Sequence, residues 1–173
     1  MEKIARFYKQ TNQLVEREKY DYNFVPETIL VVLYTLAILL VALFSDVSLF
    51  GNKQTAIFDF WFLVHVLTGA TVSVVLFRLR YFKLHNPIIL LLLISVQWEV
   101  LEVYIEGGLL GEYLTHWFGG VEHFFNRFLG DQLAMLLGFT LIKARPYWYP
   151  YVLSVELLFV GFHIWVGDST FLL

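Results

Sequence analysis

The sequence predicts an all-α integral membrane protein, a bundle of about five transmembrane helices. Of its 173 residues, 58% are hydrophobic and only 16% are charged, and the mean hydropathy is +0.65. A soluble domain of this length needs a larger polar surface. The apolar residues also fall into five segments, each close to the ~20 residues that a helix needs to cross a bilayer.

The predicted spans cover residues 26–45, 56–77, 87–107, 124–142 and 148–167. Pro26 and Pro87 fall in the first turns of the first and third spans, where the missing N–H breaks no helical hydrogen bond. The fourth span is the least hydrophobic. Because there is no internal repeat and no low-complexity tract, residues 1–173 are predicted to form a single transmembrane domain.

The basic residues predict the orientation. Ten of the 12 Lys and Arg residues lie before the first span or in the loops after the second and fourth spans. Only Lys53 and Arg127 fall on the other side. Since Lys and Arg concentrate on the cytoplasmic side, we expect a multi-pass protein of the cell membrane with a cytoplasmic N-terminus and an external C-terminus.

Two segments lie outside the spans. In residues 1–24, apolar side chains recur at helical spacing among charged ones, which predicts a cytoplasmic amphipathic helix on the membrane or on a partner. A solvated leader helix fits the same pattern. No small-residue cleavage site follows the first apolar run, so the first span is expected to remain as an anchor. Residues 108–123 hold four of the 11 glycines and are predicted to form an outer interfacial or re-entrant segment.

Composition excludes several classes of function. The net charge of −3 offers no basic surface for nucleic acid. The absence of cysteine excludes disulfides, thiolate metal sites and cysteine nucleophiles. No glycine-rich phosphate loop and no nucleophile-elbow serine is present.

The third predicted span carries a stripe of acid. Glu99, Glu102 and Glu106 are three and four residues apart and therefore share one helical face. An ionisable side chain in hydrocarbon costs roughly 2.5–3.5 kcal/mol on insertion scales, so it normally faces the protein interior or a water-filled cavity. At about 1.5 Å per residue, the embedded acids and histidines fall at the middle and outer levels of the membrane. We therefore expect a polar cavity that opens to the outside.

Five of these residues form a candidate divalent-metal site, with ligands suited to zinc, manganese or non-haem iron: His65, Glu99, Glu102, Asp131 and His163. Glu99 and Glu102 can present two carboxylates to one ion. The same two acids with His65 are also the candidate catalytic residues for acid–base chemistry on a lipid-borne substrate. The same buried carboxylates could also bind and release protons or other cations.

Simpler roles fit many of the polar residues. Arg127 and Asp131, four residues apart, are expected to neutralise each other. Glu156 is interpreted as the partner in a hydrogen bond that packs its helix against another span. His65 fits the role of a buried structural histidine as well as that of a metal ligand. The small residues around Gly69 and Gly138 are typical of close helix packing. The residues expected to be merely solvated at the outer interface are Asp59, Glu106, Glu112, His116, Glu122 and His123.

Three short motifs resemble those of the VanZ-like and YjdF-like small polytopic membrane proteins, with the YjdF-like branch the closer match. They are His65-x₃-Gly69, Trp98-Glu99-x₂-Glu102 and Gly130-Asp131-x₆-Gly138, and they cover about residues 60–140. Two features depart from the VanZ pattern: Glu102 replaces a commoner glutamine, and Asn126 precedes Asp131. The resemblance implies a small helical bundle with a shared site of His65, Glu99, Glu102 and Asp131. VanZ-like proteins are linked to cell-envelope glycopeptide tolerance. This link implies no particular enzymatic activity for the present chain.

Three functions are consistent with these observations. The first is an outward-facing, buried His/carboxylate site that binds a metal ion or a polar lipid head group, with or without catalysis. The second is a non-catalytic accessory or assembly subunit of a larger membrane complex, which suits the 17 Phe, 10 Tyr and 5 Trp residues. The third is a proton-coupled transporter, although no inverted repeat is visible. The expected partners are the bilayer, a lipid substrate or other membrane subunits.

Overall fold

A computed structural model describes residues 6, 9, 10, 13, 25–52, 54–80, 87–118 and 121–166. It is mostly helical, as predicted. The helices are α1 (Val25–Phe44), α2 (Trp61–Arg80), α3 (Pro87–Glu106), α4 (Glu112–Trp117), α5 (Asp131–Ala144) and α6 (Tyr149–Val166). A π-helical turn, Asn126–Gly130, leads directly into α5, and a 3-10 turn, Pro146–Trp148, leads into α6.

Three segments are long and apolar enough to cross a membrane: Glu27–Phe44, Pro87–Glu106 and Pro146–Val166. Large apolar side chains project from them into the surroundings, among them Leu43 and Leu158, which are each about three-quarters exposed. Water would disfavour so much exposed apolar surface, whereas lipid accommodates it. These three apolar segments are therefore those of a membrane-associated protein. A further apolar helix, Trp61–Phe77, is shorter.

The prediction that the second span begins at about residue 56 is wrong as a helix boundary, and the mostly helical fold also contains two short strands among the described residues. Strand β2 (Ala56–Phe58) pairs in parallel with β1 (Ser48–Phe50), and the helix begins only at Trp61. The Asp59 side chain ends the extended segment, because its Oδ1 accepts a hydrogen bond from the Phe62 N–H at 3.1 Å. This is the usual way in which an aspartate caps the start of a helix.

The other predicted boundaries agree to different degrees. Helix α3 ends one residue before the predicted end of the third span. The fourth predicted span divides into the π-helical turn and α5, and the interfacial segment contains the short helix α4. Most of the predicted amphipathic segment 1–24 lies outside the described residues. Within it, Arg6, Lys9, Gln10 and Gln13 are helical and exposed.

Helix α5 is the centre of the bundle. It packs most extensively against α2 and also contacts α1 and α3. Residues 131–136 are all buried, and so are four of the eight residues that follow them in the helix. A helix surrounded by other helices does not meet lipid, so it does not need an apolar residue at every position. This position explains the low hydrophobicity of the fourth predicted span.

Two glycines allow α2 and α5 to approach closely. A side chain at Gly69 would overlap the Met135 backbone, and one at Gly138 would overlap the backbone of Val66 and Ala70. Each glycine therefore lies against the main chain of the opposite helix. The two predicted small-residue faces are packed together, which confirms the interpretation as helix packing.

Helix termini meet at two ends of the bundle. At one, called here the Glu27 end, the first turn of α1 meets the last turn of α5 through an ion pair between Glu27 and Lys143. At the other, called the Arg127 end, the last residue of α3, Glu106, contacts Arg127 just before α5. The candidate site lies at this second end.

Candidate metal centre

A cavity of about 380 Å³ lies between α2, α3 and α6. Most of its wall is apolar or aromatic, with Trp61, Val64, Ile94 and Val160 among the lining residues. The polar residues of the lining include five with titratable side chains: His65, Glu99, Glu102, Glu122 and His163. The cavity therefore joins an apolar space to a group of acids and imidazoles.

The first group of ligand atoms comes from three different helices. His65 Nδ1 on α2 lies 3.5 Å from Asp131 Oδ1 at the start of α5 and 3.8 Å from Glu99 Oε1 on α3. One ligand atom from each residue lies within 4.8 Å of the others. This set of His65, Glu99 and Asp131 is called the His65 cluster. It offers one nitrogen and two carboxylates, a donor set suited to a divalent transition metal.

The second group shares Glu99 with the first. Glu99, Glu102 and Glu122 also bring one carboxylate oxygen each within 4.8 Å of the others, and they are called the Glu122 cluster. Glu122 comes from the segment before the π-helical turn. Its backbone N–H donates to Glu106 Oε2 at 3.1 Å, which attaches this segment to the end of α3. The predicted ligand Glu102 therefore lies in this cluster and not with His65.

The expected pairing of Arg127 with Asp131 is wrong. The Arg127 guanidinium is buried and donates from Nη2 to Glu106 Oε2 at 2.6 Å and from Nη1 to the Glu99 carbonyl at 3.2 Å. The π-helical turn gives the reason, since the Asp131 N–H bonds to the carbonyl of Asn126, five residues back. This wider turn changes the faces on which residues four apart lie, so the spacing rule of the α-helix fails here.

The expectation that Glu106 and Glu122 are solvated is also wrong. The Glu106 side chain is fully buried against Arg127, and that of Glu122 is only 7% exposed, with Oε2 3.7 Å from Arg127 Nη2. Burial, with the charge of Glu102 next, raises the pKa of Glu122 to about 8. Glu122 is the functional candidate that sequence reasoning missed, because a loop residue has no periodicity to reveal its direction.

The other predicted outer-interface residues at the Arg127 end differ in how far their side chains are exposed. Glu112 is exposed, as expected, whereas His123 is half-buried and accepts a hydrogen bond on Nδ1 from the Phe125 N–H at 3.2 Å. Asp59 is half-buried and caps α2. The side chain of His116 lies outside the described residues.

Glu99, like Asp131, is a completely buried acid of the site. Neither carboxylate oxygen of Glu99 accepts a hydrogen bond from the part of the chain that the structure describes. Arg127 Nε lies 3.9 Å from its Oε2, beyond hydrogen-bond distance. Burying an ionised carboxylate without hydrogen bonds is expensive, so such a group takes up a proton or binds a cation.

His163 lies on the cavity wall but belongs to neither cluster. Its ring packs edge-on against the Trp61 indole, with the ring centroids 5.1 Å apart. The prediction of His163 as a metal ligand together with the other four residues is therefore not supported by the geometry. Glu156, on the same helix, accepts hydrogen bonds from the hydroxyls of Thr68 and Thr71 on α2, which confirms its interpretation as a packing contact.

No known family model, no curated protein and no solved structure matches this chain. The resemblance to VanZ-like and YjdF-like proteins remains a prediction that rests on the three short motifs.

Proposed function

We propose that this protein is a multi-pass membrane protein that binds a divalent metal ion in its His65 cluster. The observation that carries the proposal is the convergence of His65, Glu99 and Asp131, from three helices, to within 4.8 Å of one another. The two carboxylates match the charge of a divalent ion, and the imidazole supplies the nitrogen that zinc, manganese or iron accepts. Binding an ion also satisfies the buried Glu99 carboxylate.

We further propose that α2 and α5 cross the membrane as well, giving five spans with the N-terminus in the cytoplasm. The alternation of helix ends supports this arrangement, since the start of α1 meets the end of α5 and the end of α3 meets the start of the π-helical turn. The distribution of Lys and Arg supports the orientation. In this arrangement the metal site lies towards the outer face.

The cavity supports a second candidate function, binding of a lipid by its polar head group. Apolar walls from α2, α3 and α6 suit an acyl chain, and the acids at one end suit a polar or metal-bound head group. A bound metal would supply Lewis-acid chemistry, and Glu102 lies beside the cavity as a candidate general acid or base. The roles of accessory subunit and proton-coupled transporter remain alternatives.

Elemental analysis of the protein purified in mild detergent without chelator tests the metal proposal. We expect at least one equivalent of a transition metal in the wild type and a lower metal content in Asp131→Asn, because the variant removes one ligand charge. Glu112→Gln is the matched control, since Glu112 is exposed on α4. Absence of metal from the wild type, or equal metal in wild type and Asp131→Asn, would contradict the proposal.

Lipid binding has a separate test that does not depend on metal content. Val160→Trp adds bulk to the cavity wall on α6, so it should reduce the amount of lipid that co-purifies with the protein while leaving the His65 cluster in place. Mass spectrometry of extracted lipids measures this. Val155→Trp, on the same helix but outside the cavity lining, is the control. Equal lipid content in Val160→Trp and the wild type would count against a lipid in this cavity.

A further inference from the structure

We infer that the site binds two divalent cations, one in each cluster, with the Glu99 carboxylate as the bridge between them. This inference rests on the proposed function and deepens it, because it assigns a second ion to Glu102 and Glu122. It also assigns Arg127 the role of holding the pair of sites together from outside. Three features of the structure lead to it.

The first feature is the position of Glu99 in both clusters. Its Oε1 lies 3.8 Å from His65 Nδ1, whereas its Oε2 lies 3.9 Å from Arg127 Nε. The two oxygens are therefore directed towards different neighbours. A carboxylate with its oxygens directed in this way can bind a separate ion with each, as in paired-metal sites where the ions are about 3.5–4 Å apart.

The second feature is the burial of Glu99 on the cavity wall. The side chain is completely inaccessible and lines the cavity, yet neither oxygen accepts a hydrogen bond from the described residues. The nearest guanidinium makes its hydrogen bonds elsewhere, since Arg127 donates from Nη2 to the Glu106 carboxylate and from Nη1 to the Glu99 main-chain carbonyl, and its Nε stays 3.9 Å from Glu99 Oε2. One cation on each side would give both oxygens a partner.

The third feature is the charge of the buried groups. Five acids at the Arg127 end of the bundle have side chains that are at least nine-tenths buried: Glu99, Glu102, Glu106, Glu122 and Asp131. Glu106 and Arg127 form a direct ion pair. When ionised, the other four acids carry a formal charge of −4, which two divalent cations would cancel and one cation would only halve. Asp59, half-buried at the start of α2, also lies near enough to repel Glu122 and Asp131, so it adds to the negative charge that cations at this site would offset.

One of the ligands, Glu122, comes from a segment whose position is fixed by other contacts. Glu122 is fixed through its backbone hydrogen bond to Glu106, and Arg127 contacts the same Glu106 oxygen. Arg127 Nη2 is 3.7 Å from Glu122 Oε2. Arg127 is therefore a positioning residue that helps to hold the Glu122 carboxylate beside α3.

Manganese loading of chelator-treated, detergent-purified protein tests the inference. We expect two equivalents of Mn²⁺ in the wild type and an electron paramagnetic resonance spectrum of a spin-coupled pair, because the shared carboxylate brings the ions close together. Glu122→Gln and Asp131→Asn should each retain one equivalent with an uncoupled spectrum. Glu112→Gln, which alters an exposed acid, should retain two coupled ions.

The other possible results of the manganese experiment each overturn a particular part of the inference. One equivalent in the wild type would overturn the paired site and leave the single-metal proposal standing, whereas no bound Mn²⁺, Zn²⁺ or Fe²⁺ would overturn both. Two equivalents without spin coupling would overturn the bridging role of Glu99. Size-exclusion profiles and thermal unfolding show whether each variant folds. If Glu122→Gln does not fold, the wild-type stoichiometry and coupling decide the question alone.

Discussion

At the scale of single residues, Arg127 organises the polar end of the bundle. Its guanidinium contacts the Glu106 carboxylate, the Glu99 carbonyl and, at longer range, the Glu122 carboxylate. The planar fork of an arginine can donate to two acceptors at once, which a lysine ammonium does less well. One side chain thus connects α3 to the segment that supplies Glu122.

Arg127→Met should destabilise the protein strongly. Removing one partner of a buried ion pair leaves Glu106 without its charge partner, which typically costs ~3–5 kcal/mol. Thermal unfolding in detergent measures the effect. Arg145→Met is the control, because Arg145 is exposed at the Glu27 end. An unfolding temperature equal to that of the wild type would show that Arg127 does not stabilise this end.

At the scale of elements, the contact between α2 and α5 determines where His65 and Asp131 meet. Gly69 and Gly138 bring the two main chains together four residues beyond His65 and seven beyond Asp131. Any residue other than glycine at these positions would separate the helices. The spacing between the His65 ring and the Asp131 carboxylate therefore depends on two residues that bear no side chain.

Gly138→Ala should both destabilise the protein and weaken metal binding. The added methyl would overlap the Val66 carbonyl, and overpacking of this kind costs ~1–3 kcal/mol. Thermal unfolding and metal content report the two effects. Gly161→Ala is a matched control on α6, where a side chain meets nothing within 4 Å. Alanine there should be neutral or stabilising by up to about 1 kcal/mol. Equal effects of the two substitutions would exclude a specific role for the α2–α5 contact.

At the scale of the whole molecule, two buried ionic contacts hold opposite ends of the bundle. Arg127 and its acids hold one end, and the ion pair between Glu27 and Lys143 holds the other. The Glu27 pair joins residues 116 positions apart. Helix α1 needs such a contact, because only 11% of its candidate span is buried in the protein.

A double-mutant cycle on Glu27 and Lys143 tests this role. Glu27→Leu or Lys143→Met alone should cost ~3–5 kcal/mol, because each leaves a buried charge behind, whereas the double variant should recover much of that loss. Equilibrium unfolding in detergent provides the free energies. Simple additivity of the two single effects would mean that the pair is not coupled.

The sequence by itself determined most of the helical segments and which face of α3 must avoid lipid. A run of about 20 apolar residues has few alternatives in a bilayer, because a helix satisfies every backbone group within the segment. Helix α3 accordingly begins at the predicted Pro87 and ends at Glu106. The cost of a charge in hydrocarbon directed the Glu99 face inwards, and the structure places Glu99, Glu102, His65 and Asp131 around one region.

Only the tertiary structure decided which of these groups share a cluster. The place of Glu122 depends on a loop, and the partners of Arg127 depend on a π-helical turn, neither of which has a residue periodicity to read. His163 lies outside both clusters because the rotation of α6 is set by packing against α2, including the contact of its ring with Trp61. Helical periodicity relates residues on one helix, but the rotation of one helix against another comes from side-chain packing across the whole bundle.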